Sequence, residues 1–164
     1  VKCTGRYGAV VVYSASGDME IEDAAGDVKI QTASGNAQIN NVGSKFSVKT
    51  ASGGVRANDV TGSTILRSAS GALEIAQAHA DVRSKSASGD LKIGVAHRGA
   101  ISANSASGKI SIGVSPSARV QLDLDSKSGT IANDLGSSGD QSESADLRIR
   151  ARTASGDIDI VRTR

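Results

Sequence analysis

The residues of this 164-residue chain whose types could do chemistry recur at regular intervals. His79 and His97 lie 18 residues apart, a spacing that matters if the chain brings every eighteenth residue together. Two imidazoles side by side could start a zinc or copper site, with Asp59, Asp81 and Gln77 near in register. Asp18, Asp27, Asp81, Asp90 and Asp157 share one position of a repeated turn, where carboxylates could gather around calcium. Serines recur just as regularly. Lys29, Lys45, Lys49, Arg67, Arg83 and Lys85 are spread between residues 29 and 85 and could meet an anion if they share a face. What each set can do depends on the elements that carry it.

Those elements are written in the repeat. Ser/Thr-Ala-Ser-Gly stands at Ser14-Ala15-Ser16-Gly17, Thr32-Ala33-Ser34-Gly35, Thr50-Ala51-Ser52-Gly53, Ser68-Ala69-Ser70-Gly71 and Ser86-Ala87-Ser88-Gly89. It returns at Ser105-Ala106-Ser107-Gly108, Ser126-Lys127-Ser128-Gly129 and Thr153-Ala154-Ser155-Gly156. A fixed period near twenty residues marks a solenoid. Within the period, aliphatic pairs two residues apart follow each motif glycine (Met19 and Ile21, Leu73 and Ile75, Leu91 and Ile93) and recur nine residues later (Val28 and Ile30, Phe46 and Val48). A spacing of two puts both side chains on one face of a strand. The unit is therefore a strand-forming nonapeptide, and two strands complete an 18-residue coil. An interior this thin admits Val, Ile, Leu and Ala, with about four inward positions per coil. The motif alanine is expected to point inward at the tight turn.

The predicted fold is all-β: a single-stranded parallel β-solenoid with two short strands per 18-residue coil and about eight coils, forming one domain over residues 1–164. Val1 and Cys3 fall at inward positions of a strand that lacks its beginning, so the chain is expected to be the C-terminal part of a longer one, with an upstream domain against its first coil. The single cysteine permits no internal disulfide. Toward the other end, residues 113–117 form a loop with the only proline, and residues 133–146 read as an exposed loop insertion.

Placed on that frame, most of the chemistry recedes. Calcium rolls need several acids and carbonyls per turn. Here one acid per turn is the most available, and Asn36, Gly54, Ala72 and Lys109 interrupt the row. The histidines lack the third or fourth ligand that zinc requires. No metal and no cofactor is expected. Serine nucleophiles need a positioned base and an orienter, whereas these serines form structural columns suited to bonding turn backbone. Their parallel rows are also the pattern of an ice-binding surface, an alternative weakened by the scarcity of threonine. A polysaccharide-acting β-helix enzyme needs clustered acids in a groove. The only long loop offers Asp134, Asp140 and Glu143.

The outward strand positions carry the most distinctive pattern. Lys29, Lys45, Lys49, Arg67, Arg83 and Lys85 fall on the half-period strands, against Asp27 and Asp81. Asp18, Glu20, Glu22, Glu74 and Asp90 fall on the other set, against Arg56, Lys92 and Lys109. A chain with 19 basic and 17 acidic residues, net +2, can thus be two-faced. The basic stripe is a candidate surface for an anionic polymer, an acidic membrane surface or an acidic protein. Nucleic acid is disfavoured, because single-strand binding relies on stacking aromatics and the stripe holds none.

Repeated Thr-Ala-Ser-Gly-Asp-aliphatic-x-aliphatic units, with the closing Leu147-Arg148-Ile149-Arg150-Ala151-Arg152-Thr153-Ala154-Ser155-Gly156-Asp157-Ile158, resemble a bacterial β-strand-repeat family of unknown function that often carries an adhesin label. The resemblance covers nearly the whole chain and implies the solenoid architecture. It carries over no catalytic residue. The expected function is that of a noncatalytic, adhesin-like structural module that presents flat faces to a protein or polymer. No apolar run approaches the roughly 20 residues of a spanning helix, and no secretory signal is visible in this segment. Bacterial cytoplasm and cell envelope both stay open.

Overall fold

The computed structural model describes residues 2–135 and 145–164. Every regular element among them is a strand. They are β1 (Lys2–Tyr7), β2 (Val10–Ser14), β3 (Met19–Ala24), β4 (Val28–Ser34), β5 (Ala37–Val42), β6 (Phe46–Ser52), β7 (Val55–Val60), β8 (Thr64–Ser70) and β9 (Leu73–Ala78). There follow β10 (Val82–Ser88), β11 (Leu91–Ala96), β12 (Gly99–Ser107), β13 (Ile110–Val114), β14 (Val120–Ser128), β15 (Ile131–Asn133), β16 (Leu147–Ser155) and β17 (Ile158–Arg162). Odd-numbered strands build one nine-stranded sheet, here sheet A. Even-numbered strands build an eight-stranded sheet B, and every pairing is parallel. The chain is a β-solenoid in which consecutive coils stack with an 18-residue offset, as Ile75 facing Ile93 shows.

Two features of the interior differ from expectation. Each coil buries about six side chains, because strands run longer than the aliphatic pairs. In β4, Val28, Ile30 and Thr32 all point inward, and in β5 Ala37, Ile39 and Val42 do. The alternation of two simply continues from Ile30 to the motif threonine. The motif alanine consequently faces out, not in: Ala15, Ala33, Ala51, Ala69 and Ala87 are all exposed. The core is otherwise the expected aliphatic column, with Phe46 as its one fully buried aromatic.

The motif glycine turns the chain between sheets at φ of 109 to 148° in the full Ser/Thr-Ala-Ser-Gly copies, backbone that side chains rarely adopt. At Gly89 a Cβ would also lie 2.3 Å from the carbonyl oxygen of Gly71, so coils approach too closely there for any side chain.

About six coils, β2–β3 through β12–β13, stack in chain order. The last two do not. Sheet A ends β13-β17-β15, and sheet B ends β12-β16-β14. The final coil, β16 and β17, is inserted between its two predecessors: Leu147 faces Gly99 on one side and Val120 on the other. Residues 115–119 carry the chain past one level to β14, and β16 lies back between β12 and β14. The proline loop is thus explained by topology. The predicted insertion at 133–146 lies largely outside the described residues.

Candidate functional face

The stacked histidines are where the period places them. Their ring centroids are 4.4 Å apart and the planes differ by 5°. Both follow sheet A strands, and each backbone N–H donates to the coil before it, His79 to Val60 and His97 to Ala78. Asp59 approaches His79 at 3.3 Å. Asp81 makes no ion pair with either histidine among the described residues; its carboxylate accepts the Ala100 N–H at 2.8 Å. Among the described residues no cluster of three or more His, Cys, Asp or Glu is arranged to hold a metal ion.

The aspartate row has a structural task. Asp18 Oδ1 accepts the backbone N–H of Asn36 at 2.9 Å, and Asn36 Oδ1 accepts that of Gly54 at 2.9 Å. Asp90 does the same for Lys109, and Asp157 for Thr130. Each side chain adds a hydrogen bond at the turn beside the backbone ladder, in which the same residues' carbonyls accept, as Asn36 does from Met19 and Asp90 from Leu73. Asp27 accepts both the Ser44 hydroxyl and the Lys45 N–H, and the Ser44 bond first, then the Lys45 bond, holds its carboxyl below the ordinary range.

The first hydroxyl column is buried at some rungs and half-buried at others. Thr32, Thr50, Ser68 and Thr153 are buried, and Thr32 Oγ1 donates to the Ser34 carbonyl at 2.9 Å. Ser14 and Ser105 make the same bond. The second column, from Ser16 to Ser107, is exposed throughout, whereas Ser14, Ser86 and Ser105 of the first are half-buried. The two hydroxyl ladders therefore do not face solvent as an equal pair.

The two sheets carry charge differently. On sheet A, register aligns Lys2, Glu20, Gln38, Arg56, Glu74 and Lys92 in one outward column. Signs alternate and pair: Lys2 with Glu20 at 3.3 Å, Arg56 with Glu74 at 2.8 Å, Lys92 with Glu74 at 3.4 Å. Arg56, and less strongly Lys92, hold the Glu74 carboxyl below its ordinary range. Lys109 is raised by its bond and ion pair with Asp159.

On sheet B the outward column is Tyr13, Gln31, Lys49, Arg67, Lys85 and Asn104. Beside it runs Val11, Lys29, Ser47, Ile65, Arg83 and Ser102. Lys49, Arg67 and Lys85 occupy successive rungs, about 4.8 Å apart, and with Lys29 and Arg83 they make one exposed basic patch. None of these five enters an ion pair among the described residues. Lys29 instead sits 5.8 Å from the Tyr13 ring centre, in cation–π range, so the stripe does hold one exposed aromatic at its end, contrary to the expectation of none. Lys45 differs: it stands beside Asp27, whose charge it helps to stabilise. Farther along, Arg150 and Arg152 continue the face, but Asp123 lies 2.7 and 3.8 Å from them. Arg148 on β16 and Lys127 on β14 also enter no ion pair among the described residues, Arg148 donating to the neutral Gln121 side chain at 3.0 Å, but unpaired bases stack on three successive rungs at Lys49, Arg67 and Lys85.

Next to this column runs a feature that the expected inward alanines concealed. The exposed alanines stack into a trough of about 790 Å³, floored by Ala15, Ala33, Ala51, Ala69 and Ala87 and walled by Tyr13, Gln31, Lys49 and Arg67. Its surface is mostly apolar, and no carboxylate lines it. The signal was present in the sequence: continuing the alternation through Thr32 and Thr50 turns every motif alanine outward.

The Toastrack DUF4097 family model matches residues 4–161. The chain belongs to that family, a β-solenoid domain of unknown function. No curated protein matches the chain, and no solved structure does. Among the described residues, no helix is long and apolar enough to cross a membrane.

Proposed function

We propose that the chain is a noncatalytic docking module whose sheet B face receives an anionic partner. The observation that carries this is the contrast between faces. On sheet A, Arg56 and Lys92 are answered by Glu74 and Lys109 by Asp159. On sheet B, Lys49, Arg67 and Lys85 stack rung upon rung with no acid between them. Like charges directly opposite in a sheet are destabilising, and the repeat offers ready places for acids, as sheet A demonstrates. A column left unneutralised in register is suited to an external anion, with salt-sensitive attraction.

The adhesin-like role and the choice among polymer, membrane and protein belong to the same proposal. Its test is titration of the folded protein with a teichoic-acid-like polymer, acidic vesicles and an acidic polypeptide, at low and high salt. Binding to at least one, lost on reversing Lys49, Arg67 and Lys85 to Glu, is expected. No binding to any probe at low salt would return these residues to a solvated face.

A further inference from the structure

The basic column and the alanine trough run parallel, and together they specify more than negative charge. We infer that the trough docks an acidic amphipathic α-helix from a partner protein, lying along the solenoid axis. This rests on the docking function proposed above and names its ligand class.

Three observations favour a helix. The floor is a row of alanines, one from each successive rung, small enough for a cylinder with side chains to approach closely. One wall carries Lys49 and Arg67, continued by Lys85 on the next rung, while the floor is apolar. The matching ligand therefore has an apolar stripe flanked by an acidic one, which is how helices enter grooves. The repeat lengths also agree. Rungs recur about every 4.8 Å, and an α-helix presents one residue per turn of about 5.4 Å on a given flank. Over the two steps from Lys49 to Lys85 the mismatch is roughly 1 Å, which long flexible side chains absorb.

The five alanine rungs span roughly 19 Å, the length of about 13 helical residues. An extended acidic strand fits less well, because its same-face residues recur every two positions, roughly 6.7 Å apart. Sugar polymers lack a continuous apolar stripe for the alanine floor. Tyr13, 65% exposed at one end of the trough, offers an aromatic edge for the helix terminus.

The test compares four probes by fluorescence titration: a 14-residue peptide with leucines on one helical stripe and glutamates on its flank, the same composition scrambled, polyglutamate, and acidic vesicles. The patterned peptide should bind most tightly and gain helicity on binding. Ala51→Gln with Ala69→Gln fills the trough at exposed positions without changing charge. These substitutions should abolish the preference for the patterned peptide and leave polyglutamate binding intact. Equal binding of patterned and scrambled peptides, or tighter binding to acidic vesicles than to the patterned peptide, would overturn the helix inference while the basic docking face stands. Failure of every probe at low salt would overturn both.

Discussion

Lys49 and Arg67 face each other directly across β6 and β8, and no carboxylate stands between or beside them in their column. The equivalent neighbours on the opposite sheet, Arg56 and Glu74, form an ion pair at 2.8 Å. The same repeat thus builds one face that neutralises itself and one that does not.

The core should be intolerant where the repeat is most regular. Ile75 and Ile93 are each 1% exposed and face one another. Aspartate at either position leaves an unpaired buried charge and should unfold the domain. Alanine should cost about 2–5 kcal/mol. Ser70 is exposed, and Ser70→Ala should be nearly silent. Urea denaturation of the set checks the order.

Turn glycines should be replaceable only where space and φ allow. Gly89→Ala forces a side chain into φ 138° against the Gly71 carbonyl. A loss of about 1–3 kcal/mol is expected from backbone strain alone. Gly8→Ala meets nothing within 4 Å and should be tolerated. Thermal melts of the two variants separate a close-packed turn column from a merely glycine-rich one.

The register was legible because aliphatic alternation and a turn glycine agree in every coil. Sheet membership followed, and so did the placement of Lys29, Lys49, Arg67, Arg83 and Lys85 on one face. A strand that ends at its second aliphatic would turn Ala33 and Ala51 inward, whereas both are exposed. Thr32 and Thr50 continue the buried alternation, and the trough follows from that. The stacking order of the last coils was not legible at all. Every coil carries the same motif, so Leu147 complements Gly99 and Val120 equally well. The long connections near residues 115–119 and after Asn133 were the sole trace of the insertion.

That insertion has a kinetic signature. β16 and β17 are covered on both sides, whereas β14 and β15 form the end of the stack, with Ile131 42% exposed. In native-state hydrogen exchange, amides of Ile149, Ala151 and Ile160 should be protected like those of Ile101 and Ile110. Amides of β15 should exchange faster, as expected for an edge that opens locally. Faster exchange in β16 than in β14 would contradict the stacking order.

Acid should weaken the fold through specific carboxylates. Asp27, Glu74 and Asp146 are all held below their ordinary range, by Ser44, Arg56 and Arg119 respectively as the leading partner. A depressed folded-state pKa contributes stability that is present above the unfolded value and lost as pH falls through the folded one. The urea midpoint should therefore hold at neutral pH and drop through the acid carboxylate range. Asp27→Asn with Glu74→Gln should flatten that drop. For Lys109 the sign reverses: its raised pKa stabilises below the unfolded value and is lost as pH climbs through the folded one.

The central claim is that unneutralised charge on sheet B docks an anionic partner, and calorimetric titration with polyglutamate at two salt concentrations tests it most directly. Wild type should bind at low salt and weaken at high salt. Lys49→Glu, Arg67→Glu and Lys85→Glu together should remove binding while the circular dichroism spectrum is unchanged, and Arg56→Gln with Lys92→Gln should leave it in place. Equal loss from both sets of substitutions, or unaltered binding by the sheet B triple variant, would contradict the assignment of the docking face.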